Sequence, residues 1–230
     1  MRSGVVIFPG SNCDRDMIVA LRQITGKTPI KIWHKENDFP NLDLIVVPGG
    51  FTFGDYLRCG ALAARSPVIS SIKNHISRGG TVLGVCNGFQ ILIEAKILPG
   101  SLIRNKKLLF TCRETTLEVQ NCIKNPFLSG FKIGECLKIP VAHNEGNYFA
   151  PKELLKQLKE EGRIALKYSK QNNSEKNYNP NGSSDDIAGI LSTNGRVLGM
   201  MPHPERAINY LHGGTDGLKL LTNCVEQIIG

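Results

Sequence analysis

The stretch Thr81 to Gln90, TVLGVCNGFQ, constrains this chain more than any other. An apolar run passes through Gly84-x-Cys86-x-Gly88 and continues as a second apolar segment, Phe89 to Ala95. A buried strand, a tight turn and a helix account for that order. Gly84 and Gly88 flank the turn, where a side chain would crowd the strand or the helix. Cys86 at the apex is then expected in a strained, exposed position. This is the layout of a nucleophile elbow, with cysteine in place of serine. The helix that follows sets the positive end of its dipole near the sulfur. The competing reading is a small buried cysteine in a parallel-sheet core, the commoner fate of an isolated cysteine.

The pattern before the elbow says what kind of sheet carries it. Val5 to Phe8 reads as a buried strand and Pro9-Gly10-Ser11 as a turn. Asn12 or Asp14 is placed to cap a helix in which Met17, Leu21 and Ile24 recur at helical spacing, ended by Gly26. Ile30 to Trp33 is a second strand. Leu42 to Val47 is a third, almost wholly apolar, as a parallel strand covered on both faces should be. This alternation predicts a doubly wound, mostly parallel α/β sheet with flanking helices. Pro48-Gly49-Gly50-Phe51 follows the third strand, and the loop runs on through Gly54 to Gly60. Ligands bind at the carboxyl ends of strands in such sheets, and glycines let backbone N–H groups come close. Phe51, Phe53 and Tyr56 argue against a loose surface turn.

Ser66 to Ser77 reads as a helix entered at Pro67, with His75 a solvated residue on it. From about residue 108 the pattern becomes β-rich. Phe110 to Gln120 and Gly134 to Val141 read as antiparallel strands added to the sheet. The loop 141–147, with His143 and Glu145, suits chemistry, a partner surface or plain solvent exposure alike. Pro151 to Glu161 is a short helix and Ile164 to Tyr168 a strand. Residues 169–186 are polar, without periodicity, and read as a long exposed loop. Ile187 to Leu191 and Val197 to Met201 flank Asn194-Gly195, a strong hairpin signal. A last helix, 217–229, is expected to pack Leu218, Leu221, Val225 and Ile228 on the core. The whole chain, 1–230, reads as one domain.

Composition excludes several classes of protein. Hydrophobic residues make up 41% of the chain and charged residues 21%, which supplies a core and an ordinary soluble surface. No apolar stretch is long enough to span a membrane, and no signal peptide is read at the N-terminus, so a cytoplasmic protein is expected. The seven cysteines include no C-x-x-C pair, and those other than Cys86 are expected as reduced thiols. The net charge of +8 is spread out, with no aromatic-interleaved basic stripe, so nucleic acid is not the expected partner.

The second strand of the hairpin runs into Met201-Pro202-His203-Pro204-Glu205-Arg206. Residues two apart in an extended segment point the same way, so His203 and Glu205 can lie side by side. A thiol needs a base, and a histidine needs an acceptor to hold its ring. Cys86, His203 and Glu205 meet both needs if all three reach the carboxyl edge of the sheet. An oxyanion hole then draws on the Asn87 N–H and on an N–H of the Gly49-Gly50 loop. No cysteine–histidine cluster has zinc spacing, so no metal is expected.

The elbow Gly84 to Gln90 with His203-Pro204-Glu205 resembles class I, triad-type glutamine amidotransferases, whose domain is flavodoxin-like. Gly54-Asp55-Tyr56-Leu57-Arg58-Cys59-Gly60, Asn179-Pro180-Asn181-Gly182-Ser183 and the 199–207 segment are similar, more specifically, to a purine-biosynthesis family. Its members are the small glutaminase subunits of the synthetase that makes formylglycinamidine ribonucleotide. One departure is Asn144, where the resemblance implies glycine. The resemblance implies Cys86 as nucleophile, His203 as general acid and base, and Glu205 as its orienter. It implies Gly50 and Asn87 as oxyanion donors, and Gly49, Phe51 and Gln90 beside bound glutamine. It also implies transfer of ammonia to a large synthetase subunit, with a small third subunit aiding assembly. No cofactor is implied on this chain, which has no Gly-x-x-x-x-Gly-Lys loop; ATP and magnesium are expected on the partner. The alternatives are a stand-alone cysteine-elbow hydrolase or redox-stress protein, and a non-catalytic binding module.

Overall fold

The apolar runs become the middle of a sheet because each is covered on both faces. In the computed structural model, which describes residues 1–170 and 178–230, the first half of the chain forms β1 (Ser3–Ile7), α1 (Asp14–Thr25), β2 (Ile30–Trp33), β3 (Leu44–Val47), α2 (Val68–Ser77), β4 (Thr81–Val85) and α3 (Asn87–Glu94). The second half forms β5 (Ser101–Ile103), β6 (Thr111–Val119), β7 (Cys136–His143), β8 (Asn147–Phe149), α4 (Lys152–Glu160), β9 (Ile164–Tyr168), β10 (Ile187–Leu191), β11 (Val197–Met200) and α5 (Asp216–Ile229). Among the described residues nine strands make one sheet in the order β2-β1-β3-β4-β11-β10-β9-β6-β7, and β5 pairs with β8 apart from it.

The sheet has two halves. β2, β1, β3, β4 and β11 are parallel, and β10, β9, β6 and β7 continue it antiparallel. Every residue of β3, β4, β10 and β11 is buried, whereas β6 and β7 alternate, as strands with one wet face do. In the parallel half β1 connects outward to β2, while β3 lies on its other side and leads on to β4 and β11. Right-handed crossovers then put α1 on one face, where α5 packs on it, and α2 and α3 on the other. The sense in which successive strands are added reverses between β1 and β3, so a crevice opens at their carboxyl ends. The loops beginning Pro9 and Pro48 leave the sheet there.

Local chemistry ends the helices as the sequence leads one to expect at some termini and not at others. Gly26 closes α1 in the left-handed region (φ 67°) and donates its N–H to the Arg22 carbonyl. Neither Asn12 nor Asp14 caps α1. Cys13 occupies that position and makes no side-chain capping bond, while its own N–H bonds the Gly49 carbonyl. His75 is buried, not solvated, and its Nε2 bonds the Thr81 carbonyl at 3.2 Å. In α5 the deepest residues are Leu220, Leu221 and Cys224, while Leu218 and Ile228 are only partly covered, so the core face is rotated from the expected one. No helix among the described residues is long and apolar enough to cross a membrane.

The elbow glycines are required by close approach. A Cβ on Gly88 would lie 1.9 Å from the Val47 carbonyl oxygen, and one on Gly84 would lie 2.4 Å from Leu92 Cδ1. Gly88→Ala should therefore destabilise the protein by about 1–3 kcal/mol or more. Helix propensity alone would stabilise it by about 1 kcal/mol. Urea unfolding decides the sign.

Candidate active site

Cys86 joins β4 to α3 at φ 51° and ψ −107°, a conformation that a non-glycine residue adopts only at a cost. Its N–H bonds the Met200 carbonyl at 2.8 Å, which ties the elbow to the end of β11. The apex is strained as expected but not exposed. The side chain is 6% accessible, and its Sγ lies 3.7 Å from the Ala142 carbonyl at the end of β7.

His203 and Glu205 meet, though not in an extended segment. Pro204–Arg206 form a 3-10 turn after His203, and this turn brings Glu205 Oε1 to 2.6 Å from His203 Nδ1. The His203 N–H bonds the Pro140 carbonyl of β7 at 2.8 Å. Both side chains are buried. Burial disfavours a charged imidazole, but Glu205 and the Cys86 and Cys13 thiols outweigh it, holding the His203 pKa well above its ordinary value. Among the described residues, His203 Nε2 and Glu205 Oε2 are buried without hydrogen-bond partners. Gly49 sits where the three side chains converge. A Cβ there would lie 2.7 Å from His203 Cε1, 3.3 Å from Cys13 Sγ and 3.4 Å from Cys86 Cβ.

The loops at the sheet's switch point are knitted to one another and to the elbow. Ser11 and Gly50 form a β-bridge, Phe51 N–H bonds the Gly10 carbonyl at 3.0 Å, and Cys13 N–H bonds the Gly49 carbonyl at 3.2 Å. Asn87 fastens the elbow to this loop. Its Oδ1 accepts from the Thr52 N–H at 3.2 Å and its Nδ2 donates to Gln90 Oε1 at 2.8 Å. Gln90 Nε2 in turn donates to the Glu145 carbonyl at 2.7 Å. A cavity of about 210 Å³ opens beside Cys86, lined in part by Gly50, Phe51, Gln90 and the 142–145 segment. Both polar ends of Gln90 are thus engaged within its wall.

Two segments expected to be loops at the surface are packed against the site instead. The 141–147 segment is not a solvated loop, and residues 178–186 are not an exposed one; 171–177 lie outside the described residues. His143, Asn181 and Ser183 are buried, with Asn105, in one hydrogen-bonded cluster. Asn105 Oδ1 accepts from the Gly146 N–H at 3.0 Å and faces His143 Nδ1 at 3.1 Å. Asn181 Nδ2 lies 2.7 Å from the Gly146 carbonyl and 3.4 Å from His143 Nε2. These partners assign a neutral ring with its proton on Nδ1. Burial, then the nearby His203, push the His143 pKa down to about 4. Ser183 Oγ accepts the Tyr148 N–H at 3.0 Å. Polar side chains at wide sequence separation carry no periodic signal, so their burial was invisible beforehand. The Asp55-to-Gly60 motif is likewise explained by contacts. Arg58 makes a bidentate pair with Glu94 of α3, and Gly60 packs on the backbone of Gln90 and Ile91.

Cys13, His203 and Glu205 offer metal-ligating atoms within 4.8 Å of one another. Arg206 donates to Cys13 Sγ at 3.0 Å. That guanidinium places a fixed positive charge against the cluster and opposes a metal cation there.

A cysteine elbow, a His–Glu pair and a flavodoxin-like strand order are the parts of a triad amidotransferase. Residues 1–215 match the CobB/CobQ-like glutamine amidotransferase domain, and the chain belongs to that family. Within it the similarity is sharper. The chain is 50% identical over 226 residues to the phosphoribosylformylglycinamidine synthase subunit PurQ of Brucella suis, covering 98% of both chains. It is 51% identical to the PurQ of Rhizobium meliloti over 228 residues, covering 99% of both. A chain in the structure of PurLQS from Thermotoga maritima superposes with a TM-score of 0.85 at 40% identity, over 98% of this chain and 97% of that one.

Two measurements check the electrostatics. Between pH 6.5 and about 4 the unfolded chain binds a proton at residue 143 that the folded chain refuses. Stability should therefore fall by about 3 kcal/mol as pH drops through that window. His143→Gln should remove this component of the slope in urea unfolding at several pH values. Glu205→Gln should lower the His203 pKa, read by NMR titration of the ring.

Proposed function

We propose that this chain is the glutaminase subunit of a phosphoribosylformylglycinamidine synthase, working as one amidotransferase domain over residues 1–230. Cys86 attacks the side-chain amide carbon of glutamine as a thiolate, its proton held on His203 Nε2. Glu205 keeps the ring in the tautomer and orientation this requires. The backbone N–H groups of Gly50 and Asn87 receive the negative charge that develops on the amide oxygen. Collapse of the adduct expels ammonia, protonated from His203, and leaves a glutamyl thioester on Cys86. His203 then takes a proton from water, the hydroxide displaces the thiolate, and glutamate departs. Gly49 and Phe51 border the bound substrate; Gln90 shapes the wall rather than reaching in.

The observation that carries this reading is the 2.6 Å contact between His203 and Glu205, buried beside a cysteine held at positive φ. The chain's end-to-end similarity to synthase subunits supports an ammonia-delivering role over a stand-alone hydrolase. The ammonia passes to a large synthetase subunit in the cytoplasm, where ATP and magnesium activate the amide of formylglycinamide ribonucleotide. A small third subunit assists assembly.

Glutamate release tests the reading. The isolated wild type should be slow, and activity should rise on adding the synthetase subunit, ATP and formylglycinamide ribonucleotide. Cys86→Ala should lose about 10³-fold or more under every condition. Equal rates for wild type and variant would overturn it.

A further inference from the structure

The His203–Glu205 turn and the Gly49-Gly50 loop are far apart in the chain, and Cys13 touches both. Cys13 lies one residue before α1 and is almost wholly buried. Its N–H bonds the Gly49 carbonyl at 3.2 Å. That carbonyl and the Gly50 N–H belong to one trans peptide, in which the two groups point in opposite directions. The bond therefore turns the Gly50 N–H away from Cys13, and Gly50 borders the cavity beside Cys86. The main chain of Cys13 thus sets the direction of a proposed oxyanion donor.

The Cys13 side chain reaches the other piece. Its Sγ accepts a hydrogen bond from Arg206 Nη2 at 3.0 Å. It also lies within 4.8 Å of a ring nitrogen of His203 and a carboxylate oxygen of Glu205. Arg206 ends the 3-10 turn that sets Glu205 against His203, and its main-chain N–H bonds the His203 carbonyl at 3.2 Å. Its guanidinium is a fixed positive charge that acts on Glu205. The Glu205 side chain is fully buried, and a buried carboxylate is costly unless an opposite charge stands near it. In the steps above His203 gives its proton to ammonia. While the ring is neutral, Glu205 has no imidazolium beside it, and Arg206 still supplies a cation. That guanidinium is on a long side chain only partly buried, and the bond to sulfur keeps it from swinging into water.

We propose that Cys13 and Arg206 are a positioning pair for glutamine hydrolysis. Cys13 fixes the Gly49-Gly50 peptide through its main chain and the Arg206 guanidinium through its sulfur, so one residue aligns the oxyanion donor with the Glu205–His203 pair. This rests on the glutaminase reading and adds two residues to its machinery, both acting through other groups. The oxyanion and the transferred proton belong to the transition state, so loss of the pair should appear in kcat and not in KM.

The test measures glutamate release by this chain in complex with its synthetase subunit, ATP and formylglycinamide ribonucleotide. Cys13→Ala and Arg206→Met should each lower kcat about 10–100-fold, with KM for glutamine changed by less than about 3-fold. Cys13→Ser keeps an acceptor and Arg206→Lys keeps the charge, and each should recover most of the loss. Packing alone would not be restored by charge, because methionine fills the space of arginine as well as lysine does. The double variant Cys13→Ala with Arg206→Met should be no slower than the slower single variant, since the two side chains act through one bond. Urea unfolding and co-elution with the synthetase subunit identify a variant that does not fold or assemble. If Cys13→Ala is one, the comparison of Arg206→Met with Arg206→Lys decides. Wild-type kcat in the alanine or methionine variant, a loss confined to KM, losses that multiply in the double variant, or no recovery with lysine would overturn the positioning pair and leave the glutaminase intact. A wild type no faster than Cys86→Ala would overturn both.

Discussion

Gly88 rests on the carbonyl of Val47, and the site depends on that contact. The first turn of α3 comes so close to the end of β3 that no side chain fits between them. Once it does, Cys86 must leave β4 at positive φ to enter the helix. Asn87 then stands over the loop that follows β3 and takes its Thr52 N–H. The Gly49-Gly50 segment is pulled at the same time onto the turn after β1. One steric allowance therefore positions the thiol, both proposed oxyanion donors and the loop that lines the cavity. The strain at Cys86 is of order 1–3 kcal/mol, which the buried strands on either side can hold.

Two buried histidines lie near each other and are driven in opposite directions. Burial disfavours the charged form of both. His203 has an anionic partner on Nδ1 and thiols nearby, so its proton is retained. His143 has the uncharged amides of Asn105 and Asn181 as partners, with His203 beyond, so it stays neutral. The same side chain thus serves as a proton carrier in one place and as a rigid strut in the other. In a low-dielectric interior the partners decide which, because an unmatched charge there is costly.

The antiparallel half of the sheet is part of the machinery rather than an addition to it. Its last strand, β7, holds the His203 backbone through Pro140 and covers Cys86 with the Ala142 carbonyl. The segment beyond β7 brings Glu145 to the cavity and is clamped by Asn105, Asn181 and Ser183. Those polar groups are buried with their bonds made, which stiffens the cavity wall; a half-satisfied cluster would instead destabilise it.

The sequence alone determined the parallel sheet, because runs such as Leu44–Val47 are apolar at every position and suit only strands covered on both faces. It determined the elbow as well, since Gly84 and Gly88 bracket Cys86 at the junction of two apolar segments. The proximity of His203 to Glu205 was legible from their spacing, although a 3-10 turn rather than an extended strand brings them together. Local periodicity could not show that His75 turns inward, that Cys13 lies beside His203, or that Asn181 and Ser183 are buried against the 143–146 segment. Each of those facts depends on contacts between residues far apart in the chain. Only the close packing of three loops at the carboxyl edge of the sheet decides which polar groups find partners there.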